Sequence, residues 1–441
     1  MRQAVSGDQQ QRKWTDQLLL VLIYGLVWGY VARIFVRPQD GWLFYFAALS
    51  IAILMLAFFR ARSWFRIFSG VFLLSGFGVM WQNGVPLTDA WKFFGSTTNV
   101  LTLLILAPFF TIPITLGAYH RSAQLMVRGR VRQPHSTYFV LTSFTYLLST
   151  LMNIAAIAAA YTTLHHLSRS FPKVVEEKIN FAAFSRGQIL AMIWSPVGAR
   201  LGVAMARVPA NPGPVIAVGL GYSIFIVLLD TWLMKGWVRR HAAAALQPTT
   251  VEQKPHSVTV VHWRRMAIFC GVIVVFIIGI IVLHEVFSMS VIDAVILLIL
   301  VVSLLWSLAL NKPNRLWQEL RAKSTVGMLG LLPQMMLFIS VGFFTQVLTE
   351  VGSLDPLVRW VSHWSVAFGW LFILLIAVFA VASSQMGLYP ALVVMLLADL
   401  VPYEAMHLRP EWFVFAITAS AVGGAPASPL TVNVNLVASL A

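Results

Sequence analysis

The chain has 441 residues, 59% of them hydrophobic and only 11% charged, with a mean hydropathy of +0.80. Soluble domains carry roughly a quarter charged residues, so this balance excludes a soluble fold and indicates a multi-span membrane protein. The net charge of +15 is scattered among loops, as expected of Lys and Arg kept in the cytoplasm and not of a nucleic-acid-binding domain, and the lone Cys270 excludes a disulfide framework.

The apolar runs are continuous and near the ~20 residues that an apolar helix needs to span. A membrane β-barrel would instead show segments of about 10 residues alternating in polarity, so the predicted class is an all-α polytopic membrane protein. The start, "MRQAVSGDQQQRKW", leads into a full span over residues 17–36 with no small-residue cleavage pattern, so a retained first helix is expected. Spans are predicted at 42–59, 64–81 and 97–116. An ambiguous region at 136–167, a segment at 184–208 broken by Pro196 and a span at 214–234 follow. A polar stretch over 235–264, interrupted by Pro248 and Pro255, reads as a linker. The second half has spans at 265–286, 288–310 and 326–349, a second ambiguous region at 370–401 and a second broken segment at 412–435.

Lys and Arg in short loops set the orientation. The stretch "AYHRSAQLMVRGRVRQ", the cluster Arg60, Arg62 and Arg66, the linker, and the group Lys312, Arg315, Arg321 and Lys323 are basic, whereas "PANPGP" and "TEVGSLDP" are free of base. All basic loops fall in the cytoplasm, with the N-terminus inside, if 136–167 and 370–401 each enter and leave on one side. Both are therefore predicted re-entrant hairpins, which protein or a water-filled cavity must satisfy. The count is about ten spans plus two hairpins.

The two tips read alike. "STLMNI" at 149–154 matches "SSQMGL" at 383–388 with an offset of 234, and the pair Ser195–Pro196 matches Ser428–Pro429 with an offset of 233. Two units, 42–234 and 265–441, share this order but start from opposite faces, which makes them inverted-topology repeats with a site expected near the midplane. The second unit's counterpart of span 214–234 would fall beyond Ala441, so truncation is expected.

Proline and glycine in "SPVG" and "GGAPASPL" predict discontinuous helices. Half-helix N-termini suit an anion, and unwound carbonyls suit Na⁺. The candidate ligand residues are Ser149, Thr150, Asn153, Ser195 and Arg200 in the first unit, with Ser383, Ser384, Gln385, Ser428, Thr431 and Asn433 in the second. Candidate Na⁺ positions are Asn153, Gly198, Gly387 and Gly424. Small polar residues also let helices pack closely, but here they coincide with helix breakers at matched positions. Arg200 could hold an anion, snorkel to an interface or pair structurally; Asp230 and Asp293 are expected near span ends. No P-loop, zinc helix or catalytic constellation is present in the sequence, and no cofactor is expected beyond Na⁺ as coupling ion.

Two hairpins, each followed by a broken helix, in two inverted repeats: this pattern resembles the ion transporter superfamily, which includes divalent anion/Na⁺ symporters, arsenite and citrate permeases and the large membrane subunits of TRAP transporters. The resemblance covers about residues 42–441 as architecture. The Ser-Asn-Thr signature of the dicarboxylate symporters is not present as such; Ser149, Thr150, Asn153, Ser383 and Ser384 stand in the comparable places. It implies secondary transport of a small carboxylate-like anion, a homodimer built on scaffold helices, and a transport domain that moves as an elevator. A non-transporting membrane subunit and an H⁺-coupled exporter of the same fold are the alternatives.

Overall fold

A computed structural model describes residues 2–36, 40–119, 122, 124–125, 133–241, 260–351, 359–360, 362–364, 368, 371–385 and 388–424. For residues 2–13, 40, 241, 260–262, 384 and 405 it describes the backbone alone. The described residues form helices and turns, with no strand among them.

The first unit begins after α1 (Arg2–Phe35) with α2 (Asp40–Phe58) and α3 (Ser63–Gln82). The predicted span at 97–116 is not one helix. A 3₁₀ segment (Leu87–Gly95) leads into α4 (Thr98–Leu106), a 3₁₀ turn (Ala107–Phe110) and α5 (Thr111–Gly117). Pro108 and Pro113 each remove a backbone donor from a helical ladder, and the tighter turn accommodates the loss. Next come α6 (Pro134–Met152), α7 (Ala155–Leu164), α8 (Lys173–Ala191), α9 (Ala199–Arg207) and α10 (Pro212–His241). α10 continues seven residues into the stretch read as linker; residues 242–259 lie outside the described residues.

The second unit has α11 (Val260–Glu285), α12 (Val291–Ala309), α13 (Pro313–Ala322), a π-helical turn (Lys323–Gly327), α14 (Leu332–Glu350), α15 (Leu371–Gln385), α16 (Pro390–Leu400) and α17 (Pro410–Gly423). α13 was expected to be loop; its Leu316 and the neighbouring Leu320 pack beneath α5 against Ile112 and Leu116. In both units a helix with an irregular first turn precedes a long-then-short helix pair, and a further helix ends at a glycine- or proline-containing break.

Eight of these segments are long and apolar enough to cross a membrane. They differ in depth. The window over Leu87–Gly117 is 78% buried and that of Leu332–Glu350 67%, whereas Ser63–Gln82 is 17% and Trp263–Glu285 22% buried. α4, α5 and α14 therefore lie inside, and α3 and α11 form an outer layer that turns side chains such as Leu74 and Val275 outward. In lipid such exposure carries no hydrophobic cost. Phe343 of α14 stacks on Phe94 at 4.4 Å between ring centres and leans on Phe77 at 4.9 Å. Gly76 of α3 leaves room for that ring: a Cβ there would lie 2.6 Å from it.

Candidate functional site

The region 136–167 is interrupted, not a continuous rod. α6 ends at Met152, and Asn153 takes φ +53° and ψ −130°, a conformation that turns the chain before α7 begins at Ala155. A helix that ends leaves its last carbonyls without intrahelical partners. One of them, Thr150 O, accepts from Ser195 Oγ at 2.6 Å. Ser195 lies in the turn 192–198 between α8 and α9, where Pro196 prevents continuation. Gln188 of α8 adds a weaker bond from Nε2 to Asn153 Oδ1 at 3.3 Å. Ser149, Thr150 and Ser195 are buried, and Ser149 Oγ has no hydrogen-bond partner among the described residues. The structure brings Ser195 to Thr150 and Gln188 to Asn153, with Ser149 one turn before Asn153 and Gly198 closing the turn at Ser195. Gln188 was missed, since a glutamine inside a regular helix gives no signal.

The second half repeats this relation with the roles exchanged. α15 ends at Gln385, and Leu388 N–H closes a turn onto Ser383 O at 3.2 Å. Gln385 Nε2 donates at 3.0 Å to the carbonyl of Gly424, the residue that caps α17. Ser383 is buried; Ser384 lies in α15. Gly387, Ser428, Thr431 and Asn433 lie outside the described residues.

The two halves meet along α9 and α16. Arg200, second residue of α9, interacts electrostatically with Tyr389, which directly precedes α16. Near the other end, Arg207 Nε lies 3.5 Å from Asp399 Oδ1. The ion pair joins the C-terminal ends of the two helices, and the interaction of Arg200 with Tyr389 puts their N-terminal ends on the same side, near Arg200. Neither end carries a side-chain cap, and helix N-termini present free N–H groups and the positive end of the helix dipole. Arg200 itself is 7% exposed, and its Nη1 is buried with no hydrogen-bond partner. No ion pair to it occurs among the described residues.

Asp230, expected near a span end, is buried and accepts from Tyr138 of α6 and Arg186 of α8, a cluster that ties three helices. A further carboxylate, Asp399, which the sequence did not single out, lies beside Arg207 with its side chain 9% exposed. Sequence could not pair residues 192 positions apart. A mostly apolar cleft of ≈ 280 Å³ runs from the Arg186–Asp230 pair along Ile193 and Ile226 to Gly423 at the end of α17.

No family model and no curated protein matches the chain. Among solved structures, it is similar to the YdaH transporter of Alcanivorax borkumensis, described as having an unusual topology, at 13% identity and a TM-score of 0.57. The match covers 85% of this chain and 90% of that one. At that identity the likeness is one of fold, and it shows a multi-pass helical architecture shared with a membrane transporter.

Proposed function

We propose that the chain is a secondary active transporter that carries a small organic anion across a bacterial inner membrane, with Arg200 as its anion anchor. The observation that carries the reading is the buried guanidinium at two adjoining helix N-termini, which has no ion pair, and no hydrogen bond to Nη1, among the described residues. Burying a charge without a partner is costly, and ionisable groups inside spans mark ligand pathways. A carboxylate that docks on the planar fork of Arg200 supplies the counter-charge and two matched hydrogen bonds. The fold of a solved transporter supports transport in general.

The repeated element order supports two inverted units whose hairpins enter from opposite faces, with Ser149, Thr150, Asn153, Ser195, Ser383, Ser384, Gln385, Ser428, Thr431 and Asn433 around the ligand. By the family resemblance, Asn153, Gly198, Gly387 and Gly424 are candidate Na⁺ positions, and the protein works as a homodimer with an elevator motion. A second reading, proton coupling, is favoured by one specific observation: Asp399 is a buried carboxylate one helix away, with no hydrogen bond to Oδ2 among the described residues.

The test is thermal unfolding of the purified full-length chain against a panel of carboxylates, with and without Na⁺. A binding anion at a hundred times its Kd adds about 2.7 kcal/mol of stability. Arg200→Ala should lose that gain and Arg200→Lys keep part of it. Absence of any stabilisation in a well-folded sample, or equal stabilisation of Arg200→Ala, would overturn the assignment. Uptake into proteoliposomes under a Na⁺ gradient alone, against a proton gradient alone, separates the two couplings.

A further inference from the structure

From the pairing of the buried charges we infer that the anchored ligand carries a single net negative charge: it is a monoanion such as a monocarboxylate, and dianions are discriminated against. The inference rests on the reading of Arg200 as anion anchor and adds the charge that the ligand must have. The deeply placed ionic groups among the described residues are few. Asp230 is neutralised by Arg186, with Tyr138 donating to its second oxygen. Asp399 is neutralised by Arg207 at 3.5 Å. Arg200 is left as the one buried cation among the described residues without a counter-charge. The α9–α16 region, with Arg200, Arg207 and Asp399, therefore carries a net +1.

In a low-dielectric setting an uncompensated charge is penalised strongly, whichever its sign. A monoanion brings the region to neutrality. A dianion would leave one buried negative charge, since Arg207 is already engaged. Arg200 and Arg207 are seven residues apart, two turns along α9 and hence on one face. Asp399 thus decides whether the face offers one positive charge or two, and it acts as a specificity-determining residue through Arg207 without needing to touch the ligand.

The experiment compares matched probes in Na⁺-free buffer at neutral pH: butyrate against succinate and benzoate against phthalate, with thermal unfolding and calorimetric Kd as readouts. Wild type should bind the monoanion of each pair at least about tenfold more tightly than the dianion, the scale of a single close charge pair. Asp399→Asn releases Arg207 and should raise the dianion-to-monoanion affinity ratio about tenfold or more. Asp399→Glu should retain the wild-type ratio. The double variant Arg207→Gln/Asp399→Asn, again at net +1, should restore the preference for monoanions even if the single variant folds poorly. Dianions that bind wild type as tightly as monoanions, through Arg200, would sink this inference and leave the anchor intact. An unchanged ratio in folded Asp399→Asn would also overturn it. If no probe binds, either in this buffer or with Na⁺ restored, the anchor and the inference fall together.

Discussion

Asn153 is the residue at which backbone and side chain make separable demands. A non-glycine residue at φ +53° and ψ −130° costs of order 1–3 kcal/mol unless the surroundings enforce it. Here Ser195 holds the preceding turn through Thr150 O, and Gln188 holds the carboxamide. Asn153→Gly should therefore keep or raise the unfolding temperature, because glycine adopts that conformation freely. Asn153→Val should lower it, since a β-branched side chain tolerates positive φ worst. If Asn153→Gly is stable but no longer binds ligand, the carboxamide belongs to the site; if Asn153→Gly is itself unstable, strain is not what the residue bears. The tip alignment sets Asn153 against Gly387, the residue type suited to such a turn.

At the scale of elements, close approach decides more than apolarity. α6 and α8 lie so near each other that a Cβ on Gly187 would meet the backbone carbonyl of Thr142 at 2.6 Å and Thr145 Cβ at 2.9 Å. Helix propensity alone favours Ala over Gly by about 1 kcal/mol. Overpacking against a backbone that cannot swing aside costs about 1–3 kcal/mol, so packing wins. Gly187→Ala should destabilise by roughly 1 kcal/mol or more, read as a lower unfolding temperature in detergent, and a more stable variant would refute the close packing. The same spacing brings Ser195 to Thr150 and so assembles the first break. The break at Pro196 was legible; Pro108 and Pro113, inside a stretch expected to be one span, stand where the helix tightens into a 3₁₀ turn and restarts. The glycine contact was not legible, because sequence gives no helix spacing.

For the whole molecule, loop charge and tertiary contact answer different questions. The basic loops imply a cytoplasmic N-terminus and linker. With the exposed Cys270 replaced by Ala, a cysteine at Lys254 should resist a membrane-impermeant maleimide in intact cells and react in inverted vesicles. Labelling in intact cells would reverse the orientation and, with it, the hairpin assignment. The candidate site, by contrast, depends on two helices from different halves, α9 and α16, joined by the ion pair of Arg207 with Asp399, with Arg200 interacting electrostatically with Tyr389.

The amino-acid order by itself determined the membrane class, most span positions and the two interruptions with their polar residues, because lipid tolerates few unsatisfied backbone groups and prolines break ladders locally. It also singled out Ser149, Thr150, Asn153, Ser195 and Arg200. Only the tertiary structure decided that Arg200 stands buried with no ion pair among the described residues, while Asp399 and Asp230 have theirs. Charge pairing depends on distances of a few ångströms between segments far apart in the chain, and those distances arise from how whole helices pack.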